Sequence, residues 1–211
     1  MRKILWICVL TVLVWSNEFG DAVNNYNRGN YIKALNSFYV LAKQGDAEAQ
    51  FNVGLIYAKG KGVKADIAEA MQWYEKSADQ GYGAAAYNLA LLYHFKEKRM
   101  PETMALAIKW YETAAKLNVM QAYNNLAAIY AKGDGVPKNK KKAFVLFSKA
   151  AQNGDAAAQV NIAQLYAWGD SIIRDRKKAY EYLKKAEAEG QAQAPIYLDR
   201  LCKESPDVCP R

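Results

Sequence analysis

The sequence predicts an all-α solenoid, a fold in which antiparallel helix pairs stack along one axis. The first observation is an internal repeat whose tyrosines recur at intervals of 36 or 37 residues: Tyr57, Tyr93, Tyr130 and Tyr166. The second observation is that each period contains two apolar stripes with helical spacing. A period of this length, carried by paired helices, is typical of solenoids that bind other proteins.

The helix pairs divide the chain into units of similar length. Small residues stand where helices must approach closely, for example Gly54 on a first helix and Ala70 on a second helix. Glycine or asparagine follows each second helix, because these residues tolerate left-handed backbone. We expect four units, a helical hairpin before them, and a capping helix with a tail after them: 46–81, 82–118, 119–154 and 155–190, preceded by 17–45 and followed by 191–211.

Recurrent aromatic residues in these helices are expected to belong to the core. They occupy equivalent helical positions in successive units, beside aliphatic and alanine side chains. Burial of their rings would stabilise the packing of neighbouring helices. The predicted core aromatics are Tyr57, Tyr74, Tyr93, Tyr111, Tyr130, Phe147 and Tyr166.

Three motifs follow one another along the first unit and return, with changes, in the others. They are Ala-x-x-Asn-[Leu/Val]-Gly-x-x-Tyr, then Lys-Gly-x-Gly-Val, then Ala-x-x-Trp-Tyr-x-x-[Ser/Ala]-Ala-x-x-Gly. Together they resemble the Sel-one-like repeat family, a branch of the tetratricopeptide superfamily, over about 45–190. The resemblance implies a right-handed solenoid, and the region before it resembles the leading hairpin of exported bacterial members. The second unit lacks the glycine loop, and the fourth has Ser171 in place of its second glycine.

The N-terminal residues have the pattern of a secretory signal peptide. A charged start precedes a run of twelve residues from Ile4 to Trp15 that is apolar except for Thr11, and Ser16 follows. The run is shorter than the roughly 20 residues that span a bilayer. We therefore expect cleavage after Ser16, which removes 1–16, or after Ala22 as a second choice. The mature protein would then have no transmembrane segment and would lie in the periplasm or outside a bacterial cell. An uncleaved anchor and a buried helix are the alternatives.

Cys202 and Cys209 are the cysteines that remain after signal cleavage, because Cys8 lies in the apolar run. Pro206, between them, favours a turn. An even cysteine pair in an exported protein indicates a disulfide. We therefore expect a local Cys202–Cys209 bond that fastens the C-terminal cap, with two free thiols as the alternative.

The chain is basic, with 29 Lys and Arg against 21 Asp and Glu. Removal of Arg2 and Lys3 with the signal segment leaves 27 against 21. Much of this excess falls in the loops inside the helix pairs, which emerge at one edge of a solenoid and would form a basic rim. Such a rim suits an acidic protein, anionic lipid headgroups or cell-wall polymers, or it only keeps the protein soluble. The predicted rim residues are Lys140, Lys141, Lys142, Arg174 and Arg176.

One asparagine recurs at the same position of each first helix, and we call this set the asparagine ladder: Asn52, Asn88, Asn125 and Asn161. The resemblance to tetratricopeptide proteins implies that these side chains face a concave groove and bind a peptide backbone. An amide offers a donor and an acceptor, so it can pair with any peptide unit. The alternative is that the asparagines tie adjacent helices together. Neighbouring groove residues, by the same alignment, are Phe51, Tyr87, Asn124, Leu55 and Leu91.

Little in the sequence indicates catalysis. His94 is the only histidine, and no nucleophile elbow, zinc-binding or phosphate-binding motif is present. We therefore expect no catalytic residue, metal or cofactor, and an envelope scaffold that binds a protein or peptide in its groove. Nucleic acid is not expected as the partner of an exported protein that lacks an interleaved aromatic platform. The alternatives are an envelope hydrolase or antibiotic-binding enzyme, which some family members suggest, and a peripheral binder that acts through the basic rim.

Overall fold

The computed structural model describes residues 18–95, 100–169 and 174–209. The predicted signal segment, 1–16, lies outside the described residues, and so does Ser171. The chain divides after Arg99 into two compact units, which are taken separately below.

The described part of the first unit, 18–95, contains five helices. Consecutive helices from α2 to α5 pack against one another, and α1 contributes Phe19, whose ring meets that of Phe38 edge to face at 5.5 Å. The core of this unit includes Phe38, Leu41 and Ile56, all of which are buried. The helices are α1 (18–27), α2 (Tyr31–Lys43), α3 (Ala47–Lys59), α4 (Ile67–Asp79) and α5 (Gly83–His94).

In the second unit, the described residues 100–169 and 174–209 form six α-helices and a short 3₁₀ helix. Each α-helix packs against the next one in the chain. This arrangement, like that of the first unit, confirms the predicted all-α fold of consecutive helix pairs. The helices are α6 (Pro101–Lys116), α7 (Met120–Lys132), α8 (Lys140–Gln152), α9 (Ala156–Trp168), α10 (Arg176–Ala188), α11 (Ala194–Glu204) and the 3₁₀ helix Pro206–Val208.

The helix ends follow the local chemistry of the sequence. Asp46 caps α3 by accepting a hydrogen bond from the Ala49 amide at 2.7 Å, and Asp155 caps α9 in the same way. Asn118 follows the second helix α6 with a left-handed φ of 62°, the conformation expected for a residue that replaces glycine there. These caps satisfy backbone groups that a helix leaves without partners at its ends.

The predicted close approaches between helices are present. Gly54 is buried in α3, and a Cβ atom there would lie 2.8 Å from the Tyr74 ring in α4. The alanines at the equivalent positions of the other first helices, and those on the second helices, are fully buried. They are Ala90, Ala127 and Ala163 on first helices, and Ala70, Ala107, Ala143 and Ala179 on second helices.

The aromatic core differs in part from the prediction. Tyr74, Tyr111 and Phe147, on second helices, are buried as expected. The four tyrosines that end the first-helix motif are half-buried, so they lie at the edge of the core and not inside it: Tyr57, Tyr93, Tyr130 and Tyr166. Tyr57 and Tyr166 pack against its buried residues. Each of the four lies two or three residues before the C-cap of its helix, where the chain turns away and one side of the ring stays open. A phenol suits such a place because its ring can pack while its hydroxyl reaches a polar partner, as the Tyr130 hydroxyl does with Lys142.

The glycine loops pack against an earlier helix. In the first unit, a Cβ atom on Gly62 would lie 2.8 Å from the Tyr31 Cβ at the start of α2. In the second unit, a Cβ atom on Gly135 would lie 2.7 Å from the Met104 Cβ in α6. Both glycines also have positive φ, so backbone conformation and close packing together explain the residue type.

Candidate functional site

The asparagine ladder occupies the positions that the repeat predicts. Asn52 lies in α3 and Asn88 in α5 of the first unit, whereas Asn125 lies in α7 and Asn161 in α9 of the second unit. All four side chains are half-buried. Half-burial fits contact with a partner and also fits bonds between helices. The hydrogen bonds of each side chain distinguish these two roles.

Two ladder asparagines bind the hydroxyl of a buried tyrosine. Asn88 donates from Nδ2 to the Tyr74 hydroxyl at 3.3 Å, and Asn125 donates to the Tyr111 hydroxyl at 3.4 Å. In both pairs the tyrosine stands 14 residues earlier, on the preceding second helix. Burial raises the pKa of Tyr74 to about 12, although the bond from Asn88 acts in the opposite direction. The asparagine therefore gives a buried hydroxyl the partner that it needs.

The other two ladder asparagines have a phenylalanine at the corresponding place. Phe38 stands 14 residues before Asn52, and Phe147 stands 14 residues before Asn161. With no hydroxyl available, Asn52 donates to the Glu48 carbonyl of its own helix at 2.9 Å. Asn161 instead donates to the Asn124 side-chain oxygen at 2.9 Å, which connects α9 to α7. The ladder is therefore uniform in position but not in bonding.

The predicted groove neighbours fall into both units. Phe51, Leu55, Tyr87 and Leu91 are half-buried residues of α3 and α5. The Phe51 ring packs against Tyr74 and Tyr82, with ring centroids 5.7 Å and 5.1 Å apart. In the second unit the structure brings Asn124 and Asn161 together. The groove assignment of this set remains a prediction.

The predicted rim residues in the second unit differ in their surroundings. Lys142 donates to the Tyr130 hydroxyl at 2.6 Å and lies 3.6 Å from the Glu112 carboxylate. The Tyr130 bond, followed by the nearby acidic groups, raises the pKa of Lys142. Arg174 donates to the Gly169 carbonyl from Nε at 3.2 Å and from Nη2 at 3.1 Å. Lys141 is exposed, while Lys140 and Arg176 are half-buried.

The C-terminal cap is held by the predicted disulfide. Cys202 in α11 is bonded to Cys209 just beyond the 3₁₀ helix, with Cα atoms 5.7 Å apart. The prediction of this pair is confirmed. Trp168, at the end of α9, also meets this cap, since its indole nitrogen donates to Glu204 at 2.6 Å and the Arg200 guanidinium lies 4.4 Å from its ring.

The residues that the structure describes are 18–95, 100–169 and 174–209. Within them, no three His, Cys, Asp or Glu residues are grouped so that they could hold a metal ion. Across the same ranges, each helix is too short or too polar to cross a membrane. His94 stacks on Phe95 at the end of α5, with ring centroids 4.6 Å apart.

The missed feature of the site is the pairing of ladder asparagines with core tyrosines. The sequence contains its signal, because Tyr74 and Asn88 have the same 14-residue separation as Tyr111 and Asn125. That separation connects the middle of a second helix to the middle of the next first helix. It could have been read as a cross-helix hydrogen bond.

Solved structures and curated proteins with similar sequences exist. The structure of a Sel1 repeat protein from Oxalobacter formigenes is 31% identical, with a TM-score of 0.77, over 86% of this chain and 74% of that one. Cytochrome c oxidase assembly factor 7 of Xenopus tropicalis is 35% identical over 101 residues, which are 47% of this chain. DAP3-binding cell death enhancer 1 of Rattus norvegicus is 37% identical over 62 residues, or 29% of this chain. The chain spans only 44% of the Xenopus protein and 12% of the rat protein.

The family model of the Sel1 repeat matches four consecutive segments of the chain: 47–82, 83–119, 121–155 and 156–191. These segments begin one or two residues after the unit boundaries expected from the helix pattern. Together they cover more than half of the chain. Their helix pairs are the ones seen in both units of the structure. The chain therefore belongs to the Sel1 repeat family, within the tetratricopeptide-like superfamily.

Proposed function

We propose that this protein is a non-catalytic scaffold of the cell envelope that holds a protein or peptide on the first helices of its repeats. Sel1 repeat proteins are in general scaffolds for protein interactions. The observation that carries the proposal is the asparagine ladder, which places half-exposed amides on α3 and α5 of the first unit and on α7 and α9 of the second unit. Within each unit, a pair of amides on successive first helices suits a peptide backbone, whose donors and acceptors also recur along its length.

The bonding of Asn88 prepares it for this role. It donates one N–H to the Tyr74 hydroxyl, whereas an amide has two N–H donors and a carbonyl that accepts two bonds. The tyrosine fixes the direction of the amide, so less conformational freedom is lost when a peptide binds. Each hydrogen bond formed between an asparagine amide and the bound peptide contributes about 0.5–1.5 kcal/mol, so several together give moderate affinity.

Placement in the envelope is part of the proposal. The signal-like sequence of 1–16 supports it, and so does the Cys202–Cys209 disulfide, because such bonds persist in oxidising compartments. One relative is by name an assembly factor, a role that suits a protein holding one partner for another. The expected location is the bacterial periplasm or the medium.

The experiment is capture of partners from a bacterial envelope extract on immobilised protein. Three forms are compared: the unmodified protein, an Asn88→Ala/Asn125→Ala variant, and a Tyr74→Phe/Tyr111→Phe variant. The tyrosine variant is the matched control, since it removes the same cross-helix bonds but keeps both amides. Circular dichroism verifies that all three forms are folded.

The proposal expects a partner that the unmodified protein retains, that the tyrosine variant retains with somewhat weaker binding because its amides are no longer oriented, and that the asparagine variant loses. Loss in both variants would assign the asparagines a structural role instead. Retention in both variants, together with release by moderate salt, would move binding to the basic rim, since contacts between exposed charges are screened.

A further inference from the structure

We propose that a cleft between α8 and α10 is a second docking site, for an acidic segment of a partner protein that carries an apolar anchor side chain. We call it the rim cleft. It lies between the first turns of two second helices, so it is separate from the asparagine ladder on the first helices. Its lining residues belong to the second unit of the chain.

The floor of the rim cleft is apolar. The rings of Phe144 in α8 and Tyr166 in α9 meet edge to face, with centroids 5.3 Å apart. Val145 stands beside them with 64% of its surface exposed. These groups offer a place where a side chain of a partner could be removed from water.

The walls of the rim cleft are basic. Lys141 and Lys178 are exposed lysines on α8 and α10, and Arg174 precedes α10. The acidic residue of the lining is Asp175, which lies 3.4 Å from the Lys178 ammonium and caps α10 through the Lys178 amide at 3.0 Å. These bonds lower the pKa of Asp175, so it stays ionised and committed to the helix end. Three cations against one carboxylate leave the lining with an excess of two positive charges.

Shape and charge together favour an acidic segment over other ligands. The cleft has a volume of about 500 Å³ and is open to solvent, so it admits a side chain from a segment lying across it. Basic walls attract carboxylates, while an apolar floor rewards burial of an aliphatic or aromatic side chain. An anionic lipid headgroup would contact the basic side chains of the walls but would leave the apolar floor exposed to water.

The first unit contains a natural control for this arrangement. The start of α2 forms a cleft at the equivalent place, where Ile32 and Asn36 correspond to Lys141 and Val145. Its charged lining residue is Lys33. A segment that binds through charge and an apolar anchor should therefore prefer the cleft of the second unit.

The test measures fluorescence anisotropy of a labelled peptide, Asp-Glu-Asp-Phe-Asp-Glu-Asp, titrated with the protein. A second peptide has serine in place of phenylalanine and the same charge. The test variant is Lys141→Glu/Val145→Asp, and the matched control is Lys33→Glu/Asn36→Asp, which changes the net charge equally. All four substituted residues are exposed, so the fold should persist, and circular dichroism checks it.

We expect the test variant to bind the phenylalanine peptide at least tenfold more weakly, and the control variant to bind it within about twofold of the unmodified protein. The serine peptide should bind the unmodified protein about tenfold more weakly, the ratio produced by loss of roughly 1.4 kcal/mol. Absence of binding, equal weakening by both variants, or indifference to the phenylalanine would overturn the proposal. Anionic phosphatidylglycerol vesicles form the last arm, and vesicle binding that depends on Lys141 without peptide binding would assign the cleft to a membrane surface.

Discussion

In the asparagine ladder, a residue on one helix determines which hydrogen bond the asparagine on the next helix makes. Asn88 and Asn125 bind a tyrosine hydroxyl, whereas Asn52 and Asn161 follow a phenylalanine and bind elsewhere. The residue 14 positions before the asparagine is tyrosine in two repeats and phenylalanine in the other two, and these side chains differ by a single oxygen atom. A buried hydroxyl without a partner costs more than the net value of one hydrogen bond, which makes the tyrosine dependent on the asparagine.

The Tyr74–Asn88 bond should appear as an energetic coupling. In a double-mutant cycle of Tyr74→Phe and Asn88→Ala, we expect a coupling free energy of about 0.5–1.5 kcal/mol in urea unfolding, because either change alone removes the same bond. Asn52→Ala is the control, since its bond lies within one helix, and it should change stability by less than about 0.5 kcal/mol. A coupling of zero would mean that the bond does not form in solution.

Tyr74 should also impose a pH dependence at alkaline pH. Burial raises its pKa from 10.0 to about 12, so the unfolded chain releases this proton at lower pH than the folded chain. Its contribution to stability is therefore complete below pH 10 and is lost as the pH rises towards 12. In a spectrophotometric titration of tyrosinate, Tyr74→Phe should remove a component with its midpoint near pH 12. A lost component near pH 10 would contradict burial of this hydroxyl.

At the scale of elements, the glycine loop connects a helix pair to the helix before it. Gly62 approaches the start of α2, and Gly135 approaches α6, in each case with less room than a Cβ atom needs. The loop is therefore a packing element as well as a turn. Its fixed shape also sets where the second helix begins.

Gly135→Ala should destabilise the protein more than Gly154→Ala does. Both glycines have positive φ, so both substitutions introduce backbone strain. Only Gly135 has a crowded environment, because a Cβ atom there would meet Met104, whereas one on Gly154 would meet nothing within 4 Å. We expect a difference of about 1–3 kcal/mol in urea unfolding, the usual cost of overpacking. Equal losses would show that the loop does not press on α6.

The C-terminal cap should depend on its disulfide. Removal of the bond in a Cys202→Ser/Cys209→Ser variant should cost roughly 2–3 kcal/mol by the chain-entropy model for so short a loop. Reduction of the unmodified protein should lower its free energy of unfolding in urea by the same amount, and the midpoint should fall accordingly. If reduction leaves the midpoint unchanged, the bond does not stabilise the folded state.

Much of this element structure could be predicted from the sequence because it depends on local chemistry. The N-cap of Asp46, the left-handed Asn118 and the buried Ala70 follow from helix periodicity and capping preferences alone. The burial of Tyr57 and its equivalents could not be predicted in this way. It depends on where the chain turns away from the helix end, which is a tertiary feature.

At the scale of the whole molecule, the family and the fold follow from the repeat, but the binding chemistry does not. Periodicity places an asparagine on each first helix, yet the direction of its amide depends on a residue of another helix, as Asn88 and Tyr74 show. The sequence likewise predicted only an excess of basic residues at the place where the structure forms the rim cleft. Its apolar floor, formed by Phe144 and Tyr166, requires residues from two helices to meet.

The most direct measurement is site-specific photo-crosslinking of the protein in an envelope extract. Benzoylphenylalanine replaces Leu91 on the first helix α5, Lys141 at the rim cleft, or Tyr39 on the second helix α2 as the control. The proposed scaffold function predicts a discrete crosslinked adduct from position 91, and an excess of the purified partner should reduce its yield. It predicts no adduct from position 39. Adducts at Lys141 alone would place binding at the rim cleft. Absence of any adduct at Leu91 would contradict binding on the first helices.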